Sequence, residues 1–185
     1  MKRRTALGRL ASVGGGAAAS VSAVSGWKDA FAEKLRDDFL RHWISTRDYS
    51  LMVLDAMPEE HYGFKPTPEQ RTFAEQSVHL ARANNAYFDR FDKQTETPRP
   101  EQPEVLTKAS VRQYVAGSFQ YVRETLNSLD ETDFKRRDYP LRAPHTAQDL
   151  FLRAYMHTAH HRGQIVVYLR LKGIEPPAWK FAPQG

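Results

Sequence analysis

The sequence contains no cysteine, and this absence narrows the kinds of site that the chain can build. Without thiols there is no disulfide framework, no thiolate metal site and no cysteine nucleophile. Any metal ion must therefore be held by nitrogen or oxygen atoms. Long, strongly apolar runs are also missing, and the charge-free stretch at residues 10–24 consists mostly of small residues. Such a stretch is too weakly hydrophobic for a stable membrane span, which needs about 20 strongly apolar residues.

The net charge of +5 does not indicate a nucleic-acid partner, because the excess is concentrated at the beginning of the sequence. Five of the 27 basic residues, but only one of the 22 acidic residues, lie within the first 32 positions. The rest of the chain is close to neutral, so we expect no interaction with nucleic acid. With 41% hydrophobic and 11% aromatic residues, residues 33–185 are expected to fold as a single domain.

The first 32 residues resemble a twin-arginine export signal. Arg3 and Arg4 precede the small-residue stretch, and Ala30-Phe31-Ala32 matches an A-x-A cleavage pattern, with cleavage near Ser25 as an alternative. This segment predicts a periplasmic or otherwise exported protein. The alternative is a disordered leader on a cytoplasmic protein.

The remaining sequence shows no strand-like alternation and no internal repeat, but it contains four segments with helical periodicity. They cover about residues 33–57, 73–96, 108–129 and 146–172, and proline-rich loops separate them. Thr72 with Glu75, and Thr146 with Asp149, match the spacing of helix capping residues. On the first helix, Leu40, Ile44, Leu51 and Leu54 form the expected apolar stripe. The sequence therefore predicts an all-α fold, a four-helix bundle with long connections.

Three histidines lie close together on the last of these helices. His157 and His161 are one turn apart on its apolar stripe, whereas His160 is rotated by about 100° and faces a neighbouring helix or solvent. The i, i+4 spacing allows two imidazoles to converge on one ion at about 2.1 Å. The stripe consists of Leu150, Ala154, His157, His161, Ile165 and Tyr168. The alternative is an ordinary polar patch.

A third ligand must come from another helix, and His79 on the second helix is the natural candidate. The small residues beside it, Ala83 and Ala86, leave room for an ion or a substrate, or alternatively mark a contact between helices. His42 on the first helix is a further candidate. His61 and His145 lie in loops.

These motifs together resemble those of the DinB family of metalloenzymes. The matching residues are His157-x-x-x-His161-Arg162-Gly163-Gln164, Thr72-x-x-Glu75-x-x-x-His79 and the segment 57–66. The resemblance implies a four-helix bundle with a site for a divalent metal, zinc or nickel, whose ligands are His79, His157 and His161. It also implies a possible homodimer. Characterised relatives include thiol-dependent transferases and isomerases.

Several functions are compatible with these residues. Three neutral imidazoles leave a divalent metal with its full charge and an open position, which suits an enzyme that activates water or a substrate nucleophile for hydrolysis or transfer on a small molecule. One alternative is a non-catalytic metal-binding or stress-response module. A thiol-dependent S-transferase is another, although export would separate it from cytoplasmic thiols. A plain helical scaffold with core histidines is the last.

The residues around the histidine motif are expected to be mainly structural. Arg162 is predicted to pair with a carboxylate of another helix or subunit, and Gly163 to allow a neighbouring helix to approach. Asn84 is expected to line the cavity or to bond a buried carbonyl. The aromatic residues Trp43, Phe73, Tyr87, Tyr155 and Tyr168 are expected either to belong to the core or to wall a pocket.

Overall fold

The computed structural model describes residues 17–179, with side chains from residue 33 onward. Within this range the protein is mostly helical, with one two-stranded sheet of four residues, which confirms the all-α prediction. The elements are α1 (Ala17–Ala56), α2 (Phe73–Phe88), α3 (Lys108–Ser128), a short α4 (Glu131–Lys135), β1 (Tyr139–Pro140), β2 (Pro144–His145) and α5 (Ala147–Leu171). The two strands pair antiparallel, with Tyr139 opposite His145.

The four long helices form a bundle in which α2 occupies a central position. It packs extensively against both α3 and α5, while α1 packs against α3 and less extensively against α5. Single-turn 3-10 helices follow α1 (Glu59–His61) and α2 (Asp89–Phe91). Since α2 and α5 are in close contact, side chains on their facing surfaces are brought together although they are far apart in the sequence.

The helices begin at side chains that satisfy free backbone N–H groups. Capping boxes at Thr72 with Glu75 and at Thr146 with Asp149 start α2 and α5, as the sequence predicts. A further capping box, Thr107 with Ser110, starts α3. The capping boxes at Thr72 and Thr146 thus define where α2 and α5 begin, the two helices that carry the three candidate histidines.

The first helix differs from the prediction in its start and in its buried face. It begins at Ala17 rather than near Glu33, so its backbone passes through the predicted cleavage pattern at residues 30–32. Arg3 and Arg4 lie outside the described residues. Within the described part of the chain, no helix is long and apolar enough to cross a membrane.

The buried face of α1 is centred on Trp43 rather than on the predicted leucine stripe. Of that stripe only Leu54 is buried, whereas Leu40, Ile44 and Leu51 are half-exposed. Trp43 is fully buried, and its indole N–H donates to the Phe119 carbonyl of α3 over 3.1 Å. The large indole ring and its hydrogen bond therefore decide which face of α1 turns inward.

Two connecting regions are more ordered than the sequence indicates. The second helix ends at Phe88 rather than continuing toward Pro98, because the chain tightens into a 3-10 turn and Asp92 adopts a left-handed conformation with φ 52°. This turn buries Phe91 against Tyr139, with ring centroids 4.8 Å apart. The segment 130–145, expected to be irregular, contains α4 and the β1–β2 pair.

Candidate metal centre

His79 of α2 and His157 and His161 of α5 form one cluster in the folded protein. Each offers a ring nitrogen, and these nitrogens all lie within 4.8 Å of one another. The ring centroids of His157 and His161 are 4.2 Å apart, and that of His79 lies 5.2 and 4.6 Å from theirs. The structure thus places the three histidines singled out from the sequence at one point between two helices.

A buried polar contact beside the histidines joins the same two helices. The Thr158 hydroxyl of α5 donates to Asn84 Oδ1 of α2 over 3.0 Å, and both residues are completely buried. Asn84 therefore bonds a hydroxyl rather than the carbonyl or cavity expected from the sequence. Because it holds α2 to α5 one position from His157, this hydrogen bond helps to fix the distance between the imidazoles.

The environment of the cluster favours neutral imidazoles. Burial lowers the pKa of His79 to about 4, and the positive charge of Arg71 adds to the effect. Burial also lowers the pKa of His157 to about 4, with the neighbouring His161 as the next contribution. The pKa of His161 is lowered by burial as well, although its hydrogen bond with Gln164 acts in the opposite direction. All three rings are thus unprotonated at neutral pH, which is the form that binds a metal.

Two glutamines bracket one nitrogen of His161. Nδ1 of this ring lies 2.6 Å from Gln76 Nε2 and 3.1 Å from Gln164 Oε1, and the two amides also contact each other. An amide presents either its oxygen or its N–H₂ group, so this pair engages Nδ1 in hydrogen bonding. The other nitrogen, Nε2, is left as the donor for an ion.

The donor set fits a divalent metal ion. Among the described residues, the buried Nδ1 atoms of His79 and His157 have no hydrogen-bond partner. Buried polar atoms in folded proteins are nearly always paired, so an unpaired imidazole nitrogen in a histidine cluster is well suited to a ligand. Three nitrogens bound to one tetrahedral ion lie about 3.4 Å apart. The ring nitrogens of the cluster lie within 4.8 Å of one another, so the histidines need to move only slightly closer to hold an ion.

The other histidines within the described residues lie outside this cluster. His42 is exposed on α1, and its ring contacts Tyr155 at 6.3 Å between centroids. His160 is exposed, as expected from its rotation around α5, and its Nε2 lies 3.0 Å from Gln164 Nε2. His61 and His145 belong to the 3-10 turn after α1 and to β2. None of them joins the group of nitrogens around His79.

Within this chain, Arg162 and Gly163 do not make the contacts with other helices that the sequence predicts. Arg162 is buried, and among the described residues no carboxylate pairs with it. Instead its guanidinium donates to the Thr46 carbonyl over 3.4 Å and lies 5.0 Å from the centre of the Tyr49 ring. Gly163 is exposed, and a Cβ atom added there would meet nothing within 4 Å, so no helix of the described part of the chain approaches it.

The aromatic residues divide between the core and the site. Trp43 and Phe73 are fully buried core residues. Tyr87 is half-buried, and its ring stands edge-on to that of His157, with centroids 6.2 Å apart. Tyr87 is therefore an aromatic wall of the histidine cluster, whereas the other two contribute only to stability.

Two open cavities border the cluster and meet at Arg71. The first, of about 350 Å³, is lined by His79 together with Arg71 and Arg82. The second, of about 470 Å³, is lined by Gln76, Gln164 and Tyr168, and it also includes Arg71. The Tyr168 hydroxyl donates to the Arg71 carbonyl over 2.8 Å and ties this loop to α5. These volumes are in the range of small-molecule sites.

The fold and the site define a helical-bundle protein with a three-histidine cluster that suits a metal ion. The family model described as the DinB superfamily matches residues 42–165, more than half of the chain. The chain therefore belongs to the DinB superfamily.

Solved structures agree with this assignment at the level of the fold. The chain is similar to a DinB-like protein from Bacillus cereus, with 18% identity and a TM-score of 0.67, over 77% of this chain and 95% of that one. It is also similar to a DinB-like protein from Bacillus subtilis, with 20% identity and a TM-score of 0.64, over 77% and 98%. No curated protein matches the chain.

Sequence reasoning did not find Gln76 or Arg71 as parts of the site, and for Tyr87 it left the choice between core and pocket wall open. Gln76 lies three residues before His79, on the same side of α2, so helical spacing is a signal from which it could have been predicted. Arg71 lies in a loop whose path depends on the Tyr168 hydrogen bond. No spacing rule places it beside the histidines.

Proposed function

We propose that this protein is a metal-dependent enzyme in which His79, His157 and His161 hold a divalent ion, zinc or nickel. It acts on a small molecule by hydrolysis or group transfer. The observation that carries the proposal is the convergence of three ring nitrogens within 4.8 Å, next to open cavities. When bound, the metal supplies Lewis acidity that polarises a substrate or activates a nucleophile.

The protein's own residues contribute orientation and access. Gln76 and Gln164 hold His161 with one nitrogen turned away from them. Tyr87 closes one side of the cluster, and the two cavities leave another side open to a substrate. The histidine group contains no carboxylate. Glu69 and Glu75 line the same cavity as His79 and are the carboxylates that could accept a proton there.

The open side favours an enzyme over a purely structural metal site. Structural zinc sites usually have four protein ligands, whereas catalytic sites keep a position open. Within the described residues the group contains three histidines, and the exposed His42 and His160 are not part of it. A non-catalytic metal-binding module and a thiol-dependent S-transferase remain the alternatives for the experiments below.

Metal analysis of purified protein tests the ligand set. We expect about one zinc or nickel ion per wild-type chain, and substantial loss in His79→Ala, His157→Ala and His161→Ala. His42→Ala is the matched control, because it removes a histidine near Tyr155 that lies outside the cluster. Unchanged metal content in all three cluster variants would reject the proposed site.

Activity assays separate the reaction classes. The metal-loaded protein is offered a panel of esters and amides, and in parallel a panel of thiols with electrophilic acceptors. Turnover in the first panel supports hydrolysis, and turnover in the second supports the S-transferase. Activity that persists in metal-free His157→Ala contradicts a metal mechanism. A metal-loaded protein without turnover in either panel favours the non-catalytic module.

We also propose that the protein is exported, on the basis of Arg3, Arg4 and the small-residue stretch that follows them. Cell fractionation of the full chain tests this. Replacement of both arginines by lysine should retain the protein in the cytoplasm. Equal distribution of the wild type and the double variant would contradict export by this signal.

A further inference from the structure

The first cavity beside the histidine cluster has an unusual set of charges. Three cationic side chains, those of Lys65, Arg71 and Arg82, line the same cavity of about 350 Å³ as His79. All three are exposed on the cavity wall. Within the described residues, none of them forms an ion pair with a carboxylate, unlike the arginines 112 and 136 elsewhere in the fold.

The two acidic residues of the same cavity are already engaged with the backbone. Glu75 accepts the Thr72 N–H over 2.8 Å in the capping box of α2. The pKa of Glu69 is lowered by a hydrogen bond from its own backbone N–H and by one from Thr67. These hydrogen bonds leave both carboxylates charged, so the cavity lining carries three positive and two negative charges, a net charge of +1. Its three cations stay outside the ion pairs of the described residues and keep N–H groups for a ligand.

Arg71 occupies the decisive position among these cations. It borders both cavities, and its carbonyl is held by the Tyr168 hydroxyl of α5. It lines the first cavity together with His79, and the second together with Gln76 and Gln164, which contact His161. Together with Lys65 and Arg82 it makes the potential of this cavity positive, and such a region attracts an anion.

We propose that the small molecule on which this site acts carries an oxyanion group, a carboxylate or a phosphate, and that Arg71, Arg82 and Lys65 bind it beside His79. The inference rests on the proposed function of the histidines, and it adds which chemical group of the substrate the cationic side chains bind. Arg71 and Arg82 present planar guanidinium groups that bond two oxygens of a carboxylate or phosphate at once. With its anionic group at these arginines, the rest of the ligand occupies the cavity that His79 also lines.

The test is calorimetric titration of the full chain with two defined probes, succinate and inorganic phosphate, at low ionic strength. Succinate is titrated into both chelator-treated and zinc-loaded protein. Phosphate is titrated only into chelator-treated protein, because zinc phosphate precipitates. We expect saturable binding of at least one probe, and the stronger probe identifies the carboxylate or the phosphate as the preferred group.

The variants locate the binding. We expect Arg71→Gln and Arg82→Gln each to weaken binding by about tenfold, the loss of a charge-assisted hydrogen bond. Arg71→Lys should recover part of the loss, since it keeps the charge but not the paired donors. Arg170→Gln is the matched control, because this exposed arginine of α5 lines neither cavity.

The outcomes separate this inference from the proposed function. Zinc uptake without binding of either probe, or with binding unchanged in Arg71→Gln and Arg82→Gln, overturns the inference and leaves the metal site intact. Probe binding that depends on Arg71 in a protein that takes up no metal supports anion recognition and rejects the metal-dependent function.

Discussion

At the scale of single residues, the site depends on how an imidazole is held as much as on its presence. His161 differs from the other two histidines because Gln76 and Gln164 engage its Nδ1. Hydrogen bonds to the far nitrogen of a ligand histidine fix both the ring orientation and the tautomer. Gln76 is buried, so its side chain has little freedom to reorient.

The first prediction concerns this buried glutamine. Gln76→Leu keeps the side-chain volume but removes the hydrogen bond, so we expect zinc affinity to fall by about tenfold. Competition with a chromophoric chelator measures the change, and circular dichroism checks that the helical content is retained. Gln113→Leu, at an exposed position of α3, is the control. Wild-type affinity in Gln76→Leu would show that the amide does not orient His161.

The contacts of individual residues show which parts of the site the sequence predicts and which it does not. His157 and His161 were found because helical spacing alone puts them on one face of α5. Arg162 follows directly, but spacing does not show what it contacts. It bonds the Thr46 carbonyl and stacks on Tyr49, and both partners lie on α1. Contacts of this kind depend on how α1 and α5 are rotated relative to each other. Residue spacing within one helix does not predict that rotation.

At the scale of elements, α5 carries two of the three candidate ligands and begins at a strong capping box. The Asp149 N–H donates to Thr146 Oγ1 over 3.1 Å, and Asp149 Oδ2 accepts the Thr146 N–H over 3.1 Å. Since these bonds set the first turn of α5, they stabilise the helix that presents both histidines.

The second prediction tests this cap. Thr146→Ala should lower the free energy of unfolding by about 1 kcal/mol, as measured by urea denaturation, because it leaves a helix N–H group without its partner. Thr146→Ser keeps the hydroxyl and serves as the matched control, with a loss of only a few tenths of a kcal/mol. Equal losses in the two variants would mean that the methyl group, and not the cap, matters.

Element boundaries show the same division between local and tertiary signals. The starts of α2 and α5 were predicted because capping residues are local and identifiable by spacing. The end of α2 was not, because Phe88 and Phe91 pack around a 3-10 turn against residues distant in sequence, including Tyr139. The buried face of α1 was also mispredicted, since the partner of Trp43 is a carbonyl of α3.

At the scale of the whole molecule, the partly buried histidines of the cluster link stability to pH. The pKa of His157 is about 4 in the folded chain, against 6.5 for an unperturbed histidine. Between these values the unfolded chain binds a proton that the folded chain excludes. The stability of the metal-free fold is therefore highest above pH 6.5 and falls as the pH decreases toward 4.

The third prediction follows from this linkage. In chelator-treated protein, the midpoint of urea unfolding should decrease between about pH 7 and about pH 5, the range in which an ordinary histidine becomes protonated. His157→Gln should show a shallower decrease, because it removes one group that resists protonation. His42→Ala, which removes an exposed histidine, should keep the wild-type slope. Identical slopes in all three proteins would contradict the shift.

The placement of the three histidines also has a consequence for the order of events during biosynthesis. His79 leaves the ribosome together with α2, but its two companions are translated only after α3, α4 and the β1–β2 pair. Domains tend to acquire structure from their amino-terminal side as synthesis proceeds. The nascent chain therefore has an incomplete set of donors for most of its elongation. In the proposed metal site, capture of the ion would therefore be a late step, possible only once α5 has packed against α2.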